Sequence, residues 1–134
     1  GARHTRYLSA ASPEADLTLI ANIVYMVNIQ NTQTLIVTLP NSPQTGDIVR
    51  LLDVGGNLKY DTTLVVRTPE TSGTPIQGDS TGTLFGDRLT PYPSGELVVQ
   101  TPNAAFALIY LGAVDSNDQI GIPTSVQGWW LMEV

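Results

Sequence analysis

The chain has 134 residues, of which 42% are hydrophobic and 13% charged, with a formal net charge of −6 and no cysteine. This length suits one folded domain with its own core, and the lack of cysteine excludes disulfides, thiolate metal sites and a cysteine nucleophile. Six basic residues in an acidic chain cannot form a phosphate-binding track, so we expect no nucleic-acid partner. No apolar run approaches the roughly 20 residues of a membrane helix, so we expect no membrane partner.

The first sixteen residues show no apolar period, and a Ser-Pro-Glu sequence interrupts them before the first strand pattern begins. We interpret residues 1–16 as an extended N-terminal arm and residues 17–134 as the domain. Arg3 and Arg6 concentrate basic charge in this arm. A frayed terminus is one interpretation of the segment. The other is an arm that docks on an acidic neighbouring subunit, which makes both arginines candidate interface residues.

Apolar runs rich in β-branched residues and bounded by Pro, Gly, Asn or Asp predict strands along the rest of the chain. No segment keeps the helical period over three turns. A short helix over residues 16–23 is an alternative to a strand there, but Val24 and Val27 oppose it. The predicted strands are 17–27, 35–39, 48–53, 63–67, 83–88 (a short strand or a turn), 96–101, 105–111 and 128–134. The sequence therefore predicts an all-β fold, a compact β-sandwich or barrel-like domain of seven or eight short strands.

Two loops are candidate contact sites. Residues 69–82 form the longest turn-rich stretch, and Ile76 stands alone in it among Pro, Gly, Ser and Thr. Long irregular loops in compact domains often serve function or contact, and we expect Ile76 to anchor this loop on the core. Tyr92 lies between two prolines that hold it outward. It is the best candidate for an exposed recognition side chain.

Trp129 and Trp130 follow each other in the last predicted strand and point to opposite faces if that strand is extended. We expect one of them in the core and the other exposed or at an interface. An exposed tryptophan stacks on a sugar or anchors a subunit contact. Because no second aromatic residue with polar partners lies nearby in the sequence, the subunit contact is the favoured interpretation.

Carboxylates are the first candidates for catalysis, but most lie in turns beside glycine, where aspartate caps its own backbone. We therefore interpret them as turn caps rather than as a catalytic pair. They are Asp47, Asp53, Asp61, Asp79, Asp87, Glu96, Asp115 and Asp118. Residues 115–118 offer oxygen ligands but lack the spacing and distal glutamate of a calcium loop, so we expect a solvated loop. The single histidine, His4, lies in the arm, so we expect no enzyme, no metal and no cofactor.

The order of turns and strands resembles that of a known family. The series TLIVTLPNSPQTGDIVRLLDVGGN (residues 34–57) is followed by a strand, by a Gly-rich loop at residues 76–78 and by a closing strand that contains Gly-Trp-Trp-Leu. This order resembles small β-modules of tailed-bacteriophage virions, which recur in baseplate, tail-fibre and fibre-attachment proteins, typically as homotrimers. The matching pieces, spread over residues 35–134, are Leu39-Pro40, Pro43, Gly46-Asp47 and residues 53–56, 76–78, 108–110 and 128–131.

The resemblance implies a virion structural protein, a homotrimeric tail, baseplate or tail-fibre attachment component that acts by protein–protein assembly. Its expected partners are further copies of itself and other virion structural proteins, and its expected place is the tail or outer capsid surface. The composition agrees, because a domain with few charges and no evident catalytic group is suited to burying apolar surface against copies. The alternatives are a capsid decoration protein that stabilises the shell and a carbohydrate-binding module that recognises a host glycan.

Overall fold

The computed structural model describes residues 4–9, 17–69, 74–78, 88–90, 95–113 and 121–133. In these ranges eleven strands form two sheets, and one short 3₁₀ helix, Thr124–Val126, precedes the last strand. The strands are β1 (His4–Ser9), β2 (Leu17–Thr18), β3 (Ile23–Asn28), β4 (Thr34–Thr38), β5 (Ile48–Asp53), β6 (Thr63–Arg67), β7 (Ile76–Gln77), β8 (Arg88–Thr90), β9 (Glu96–Val99), β10 (Ala105–Leu111) and β11 (Gly128–Glu133). The all-β prediction is confirmed.

Successive strands of the first half alternate between the two sheets. β1, β3 and β5 pair in parallel within a six-stranded sheet of order β1-β3-β5-β10-β11-β7. β2, β4 and β6 pair in parallel within a five-stranded sheet of order β2-β4-β6-β9-β8. The antiparallel strands β9, β10 and β11 then join these parallel groups. The chain therefore winds three times around a sandwich before its last strands complete both sheets.

The core lies between the two sheets, because alternate residues of each long strand point inward. Its largest fully buried side chains are those of Trp129, Tyr25 and Phe106. Ile76 is 3% exposed and belongs to the same cluster, so it anchors its loop on the core as predicted.

The single strand predicted over residues 17–27 is wrong, because this run forms two strands in different sheets. β2 ends at Thr18, and the chain turns at residues 21–22 before β3 begins. Asn22 takes a positive φ of 65°, a conformation that asparagine adopts more readily than most residues. Its N–H donates to the Ile48 carbonyl at 2.6 Å and its side-chain oxygen accepts the Ile48 N–H at 3.2 Å. The turn is thereby held against the start of β5, and the alternative helix is not formed.

The predicted arm contains a strand that the sequence did not indicate. His4–Ser9 form β1 at the edge of the six-stranded sheet, in register with β3 from His4 opposite Ile23 to Ser9 opposite Asn28. The Asn28 side-chain amide donates to the Tyr7 hydroxyl at 2.8 Å. Residues 1–3 and 10–16 of the arm, like residues 83–87 of another predicted strand, lie outside the described residues. β1 and the two-residue strands β2 and β7 raise the number of strands above the predicted seven or eight.

A buried carboxylate joins two of the crossings between the sheets. Asp53 is 4% exposed and accepts the backbone N–H groups of Gly56 at 3.1 Å, Leu58 at 3.4 Å and Asn103 at 3.0 Å. Gly56 and Leu58 belong to the connection from β5 to β6, and Asn103 to the connection from β9 to β10. One side chain thus satisfies donors from two connections that have no strand partner there. The turn-cap prediction for Asp53 is confirmed.

Replacement of this carboxylate by its amide tests that role. Asp53→Asn is expected to lower the free energy of unfolding by about 2–3 kcal/mol, because the amide keeps one acceptor oxygen and turns an NH₂ group toward backbone donors. Urea unfolding followed by circular dichroism measures the loss. The matched control is Asp61→Asn, since the Lys59–Asp61 pair at 3.9 Å is partly exposed and contributes at most about 1 kcal/mol. Equal losses in both variants would contradict the capping role.

Candidate functional site

The outward face of the six-stranded sheet is apolar, whereas the outward side of a solvated sheet normally alternates to polar residues. We call this surface the outer apolar face. The cross-strand registers place on it the apolar residues Tyr7, Val24, Met26, Ile48, Leu52, Ala105, Ala107, Ile109, Leu111, Trp130 and Met132. Arg50 lies among them, and the polar residues Thr5, Ser9, Asn28 and Gln77 lie toward the margins of the face, on β1, at the end of β3 and on β7. Most of these side chains are partly exposed in the single chain. The face therefore leaves apolar surface from five adjacent strands in contact with solvent.

The registers order the outer apolar face into rows. The middle row is Thr5, Val24, Arg50, Ala107 and Met132. One flanking row is Tyr7, Met26, Leu52 and Ala105, and the other is Ile48, Ile109, Trp130 and Gln77. Arg50 therefore lies near the centre of the face, on a central strand, and is the only charged residue among the described residues of this face. Its guanidinium forms no ion pair with any residue that the structure describes.

The five-stranded sheet presents a different outward face. Its central row is Ile36, Val65 and Val98, and the two valines are already buried within the chain. Polar pairs flank this row. Arg67 lies 3.4 Å from the Glu96 carboxylate, and the Gln100 amide donates to the Thr63 hydroxyl at 3.2 Å. This face has the polar pairing of a solvated surface, whereas the outer apolar face has such a pair only between Asn28 and Tyr7, at its β1 edge, among the described residues.

The structure places the two tryptophans on opposite faces, as predicted. Trp129 is 1% exposed, and its ring centre lies 5.4 Å from that of Tyr110. Trp130 lies partly exposed on the outer apolar face, and its indole N–H donates to the Val126 carbonyl at 2.7 Å. This hydrogen bond holds the Trp130 ring in one orientation, so the ring offers a fixed apolar surface to a partner.

The other predicted interface residues do not converge on this face. Arg6 is exposed on β1, but its register partner is the core residue Tyr25, so it shares the inward side of the sheet. Ile76 is buried in the core. Arg3 and Tyr92 lie outside the described residues. Among the predicted interface residues that the structure describes, only Trp130 belongs to the outer apolar face.

The sequence analysis did not predict this face because it considered only the residues of each apolar run that point into the core. The available signal was the lack of alternation, since residues 23–27 and 105–111 are apolar at both inward and outward positions. Such continuous runs are typical of strands covered on both faces. The run over β10 could therefore have predicted a second, outward contact.

A second feature is a cleft of about 350 Å³, which we call the proline cleft. Its lining residues are Pro40, Asn41, Ser42, Pro43, Pro69, Thr74 and Trp129. They come from the connection after β4, the end of β6, the approach to β7 and the start of β11. None of these seven described residues carries a charge.

Two of the carboxylates that the structure describes on the surface accept hydrogen bonds within their own turns. Asp47 accepts the Gln44 N–H at 2.9 Å within its own turn, which confirms the turn-cap prediction there. Asp61 accepts the hydroxyl of Thr62 at 3.1 Å. Within the described ranges no three His, Asp or Glu residues form a group that could hold a metal ion. The predicted turn caps Asp79 and Asp87 lie outside those ranges, as does the predicted solvated loop of residues 115–118.

No protein-family model matches the chain, and no curated protein sequence matches it either. In the part of the chain that the structure describes, no helix has the length and apolar content needed to cross a bilayer. Family membership therefore supplies no assignment, and the outer apolar face and the proline cleft are the surfaces with distinct chemistry.

The placement of the tryptophans leads to a stability prediction. Trp129→Ala is expected to lower the free energy of unfolding by about 3–5 kcal/mol, because it removes the largest buried side chain and leaves a cavity. Trp130→Ala is expected to cost only about 1–2 kcal/mol, since a partly exposed ring loses one hydrogen bond and part of its packing. Urea unfolding at low protein concentration measures both. A larger loss for Trp130→Ala would contradict the assignment of inward and outward positions.

Proposed function

We propose that the protein is a non-enzymatic structural module that assembles into a homotrimer through its outer apolar face. We further propose that it serves in a bacteriophage virion, as a tail, baseplate or tail-fibre attachment component. The observation that carries the assembly is the apolar outward side of the six-stranded sheet. The virion role is supported by the resemblance of the turn and strand order to such modules.

The composition of the outer apolar face suits a buried interface. Protein interfaces are enriched at their centre in aromatic residues, Met and Arg, and depleted of Lys, Glu and Asp. The outer apolar face follows this pattern, with Tyr7, Trp130, two methionines and a single Arg50 among aliphatic side chains. Each square ångström of apolar surface removed from water contributes roughly 25 cal/mol. Contact over five strands therefore supplies a driving force that scattered apolar residues do not.

A second copy of the chain is the partner that this face fits. An apolar face is desolvated without penalty only by a surface that leaves no polar group unpaired. The outer apolar face of another copy meets that condition except at Arg50, whose guanidinium needs an acceptor from the neighbouring copy. The opposite sheet does not, because contact there would bury the Arg67–Glu96 pair. Cyclic symmetry brings the same face of every copy to one axis and closes the assembly.

Assembly would also cover an exposed edge of the six-stranded sheet. β1 is the outermost strand of the six-stranded sheet, and no described strand pairs with its other side. Unpaired strand edges recruit other chains unless they are covered. Tyr7 on this strand is 57% exposed beside the outer apolar face. A neighbouring copy packed on that face is positioned to shield the edge as well.

A charge placed in the face tests the proposal. Ile109→Glu is expected to convert the assembly to monomers, because Ile109 lies between Ile48 and Trp130 and a carboxylate there would be buried without a partner. Light scattering coupled to size exclusion measures the mass, and we expect three chain masses for the unmodified protein and one for the variant. A monomeric unmodified protein at micromolar concentration would refute self-assembly.

The matched control is Ile36→Glu, the same substitution at a partly exposed position on the outward side of the other sheet. This variant is expected to keep the mass of the unmodified protein. Circular dichroism of both variants shows that they remain folded. Dissociation by Ile36→Glu as well as by Ile109→Glu would mean that a general loss of stability, rather than the outer apolar face, controls association.

A further inference from the structure

Arg50 lies at the centre of the outer apolar face without a counter-ion among the described residues. It is partly exposed between Val24 on β3 and Ala107 on β10, and the described ion pairs involve other residues. A guanidinium is always charged and carries five N–H donors in a fixed fork. When another copy covers the face, these donors lose their water and need oxygen atoms from that copy.

The centre of a second copy's face cannot supply these oxygen atoms. A two-fold axis through the middle of the face would place Arg50 opposite Arg50 of the partner, and two like charges that face each other without a counter-ion repel. The neighbours of Arg50 on its own strand are the aliphatic residues Ile48 and Leu52. The polar side chains described on this face lie toward its margins. The acceptor therefore has to come from a margin or an edge of the second copy.

The free side of β1, which we call the β1 edge, is the part next to the face that is richest in acceptors. No described strand pairs with this side of β1, and an edge strand leaves a row of backbone C=O and N–H groups unpaired. Thr5 and Tyr7 are exposed on β1 and add hydroxyl oxygens. The opposite margin offers less, because β7 has two residues and the Gln77 amide already donates to the Gln127 carbonyl at 2.7 Å.

We propose that in the homotrimer the β1 edge of each copy lies across the outer apolar face of the next copy, where its carbonyl oxygens accept hydrogen bonds from Arg50. This inference rests on the proposed self-assembly and adds which part of the second copy completes the interface. One contact then pairs two groups that a single chain leaves open, the guanidinium and the strand edge. Arg6 does not oppose it, because Arg6 lies on the other side of β1 from Thr5 and Tyr7.

An edge-on-face contact also determines the symmetry of the assembly. When the edge of one sheet meets the face of another, the edge of the second sheet points elsewhere, so two copies cannot return the contact to each other. The contact is therefore heterologous and passes to a third copy. Heterologous contacts close into a ring when the rotation between copies divides a full turn, and otherwise they extend into a filament. A rotation of one third of a turn gives the homotrimer.

Disulfide cross-linking tests the proposal in a chain that has no cysteine of its own. The double variant Thr5→Cys/Ile48→Cys carries one thiol on β1 and the other two positions from Arg50 on β5. Within one chain β3 separates these strands by about 10 Å, beyond the limit of about 7 Å between the Cα atoms of a disulfide. Oxidation is therefore expected to give covalent trimers on a non-reducing denaturing gel. Tyr7→Cys/Ile48→Cys samples the next outward position of β1 in the same way.

Matched variants separate this contact from chance collisions. Thr5→Cys/Ile36→Cys moves the second thiol to a partly exposed position on the outward side of the other sheet, and it is expected to form no covalent trimer. Arg50→Met added to Thr5→Cys/Ile48→Cys is expected to lower the yield of covalent trimer about tenfold, because hydrogen bonds from a charged donor are lost. Arg67→Met in the same background changes an arginine of the other sheet and is expected to leave the yield unchanged.

Three results on a protein with the mass of three chains would overturn the proposal. The first is no link from either Thr5→Cys or Tyr7→Cys to Ile48→Cys. The second is a covalent dimer of the Ile48→Cys single variant, which would place two faces centre to centre. The third is an unchanged trimer yield with Arg50→Met. Light scattering of the unmodified protein reports assembly separately. A monomer would overturn the proposed function together with this inference, whereas a trimer without these links would overturn only the β1 contact.

Discussion

Three backbone N–H groups converge on the carboxylate of Asp53, at the place where two connections pass from one sheet to the other. A chain that alternates between sheets leaves backbone donors at each crossing, where no strand is available to accept them. The Asp53 carboxylate accepts three of them at once from a buried position. These connections leave β5 and lead into β10, which pair side by side in the six-stranded sheet. The central strands of the outer apolar face therefore depend on a contact made on the other side of that sheet.

Local sequence patterns were sufficient to predict the strands that are bounded on both sides by turn residues. β5 and β6, for example, lie within runs that begin and end at Gly, Asp or Thr, and their predicted bounds agree with the structure. The patterns did not predict the sheet to which each strand belongs. That choice is made by parallel pairing, as between β3 and β5, which brings together residues distant in the sequence. The break at Asn22 could not be predicted locally either, because the residue that holds it, Ile48, lies on another strand.

The candidate surfaces were predictable only in part. Period-two alternation was enough to place Trp129 and Trp130 on opposite sides of their strand. It could not show that Trp130 lies in line with Ile109 and Ile48, because that row exists only through cross-strand register. The prolines of the cleft were interpreted as turn boundaries. They are boundaries, but the fold also brings two separate connections together beside one indole ring.

An interface centred on Arg50 has to satisfy its guanidinium as well as bury apolar surface. The free energy lost when an unpaired charge is removed from water exceeds the free energy gained by burying a few neighbouring methyl groups. Arrangements that bury Arg50 without acceptors are therefore disfavoured. A uniformly apolar face beside the open edge of β1 would adhere to many surfaces in many registers. Arg50 disfavours most of those arrangements, because a stable contact must place carbonyl or carboxylate oxygens at the middle of the face. The outer apolar face has no described carboxylate, so in the proposed assembly this acceptor has to come from another part of a second copy. In the proposed assembly, the residue that weakens nonspecific contact is therefore also the one that would give self-association its specificity.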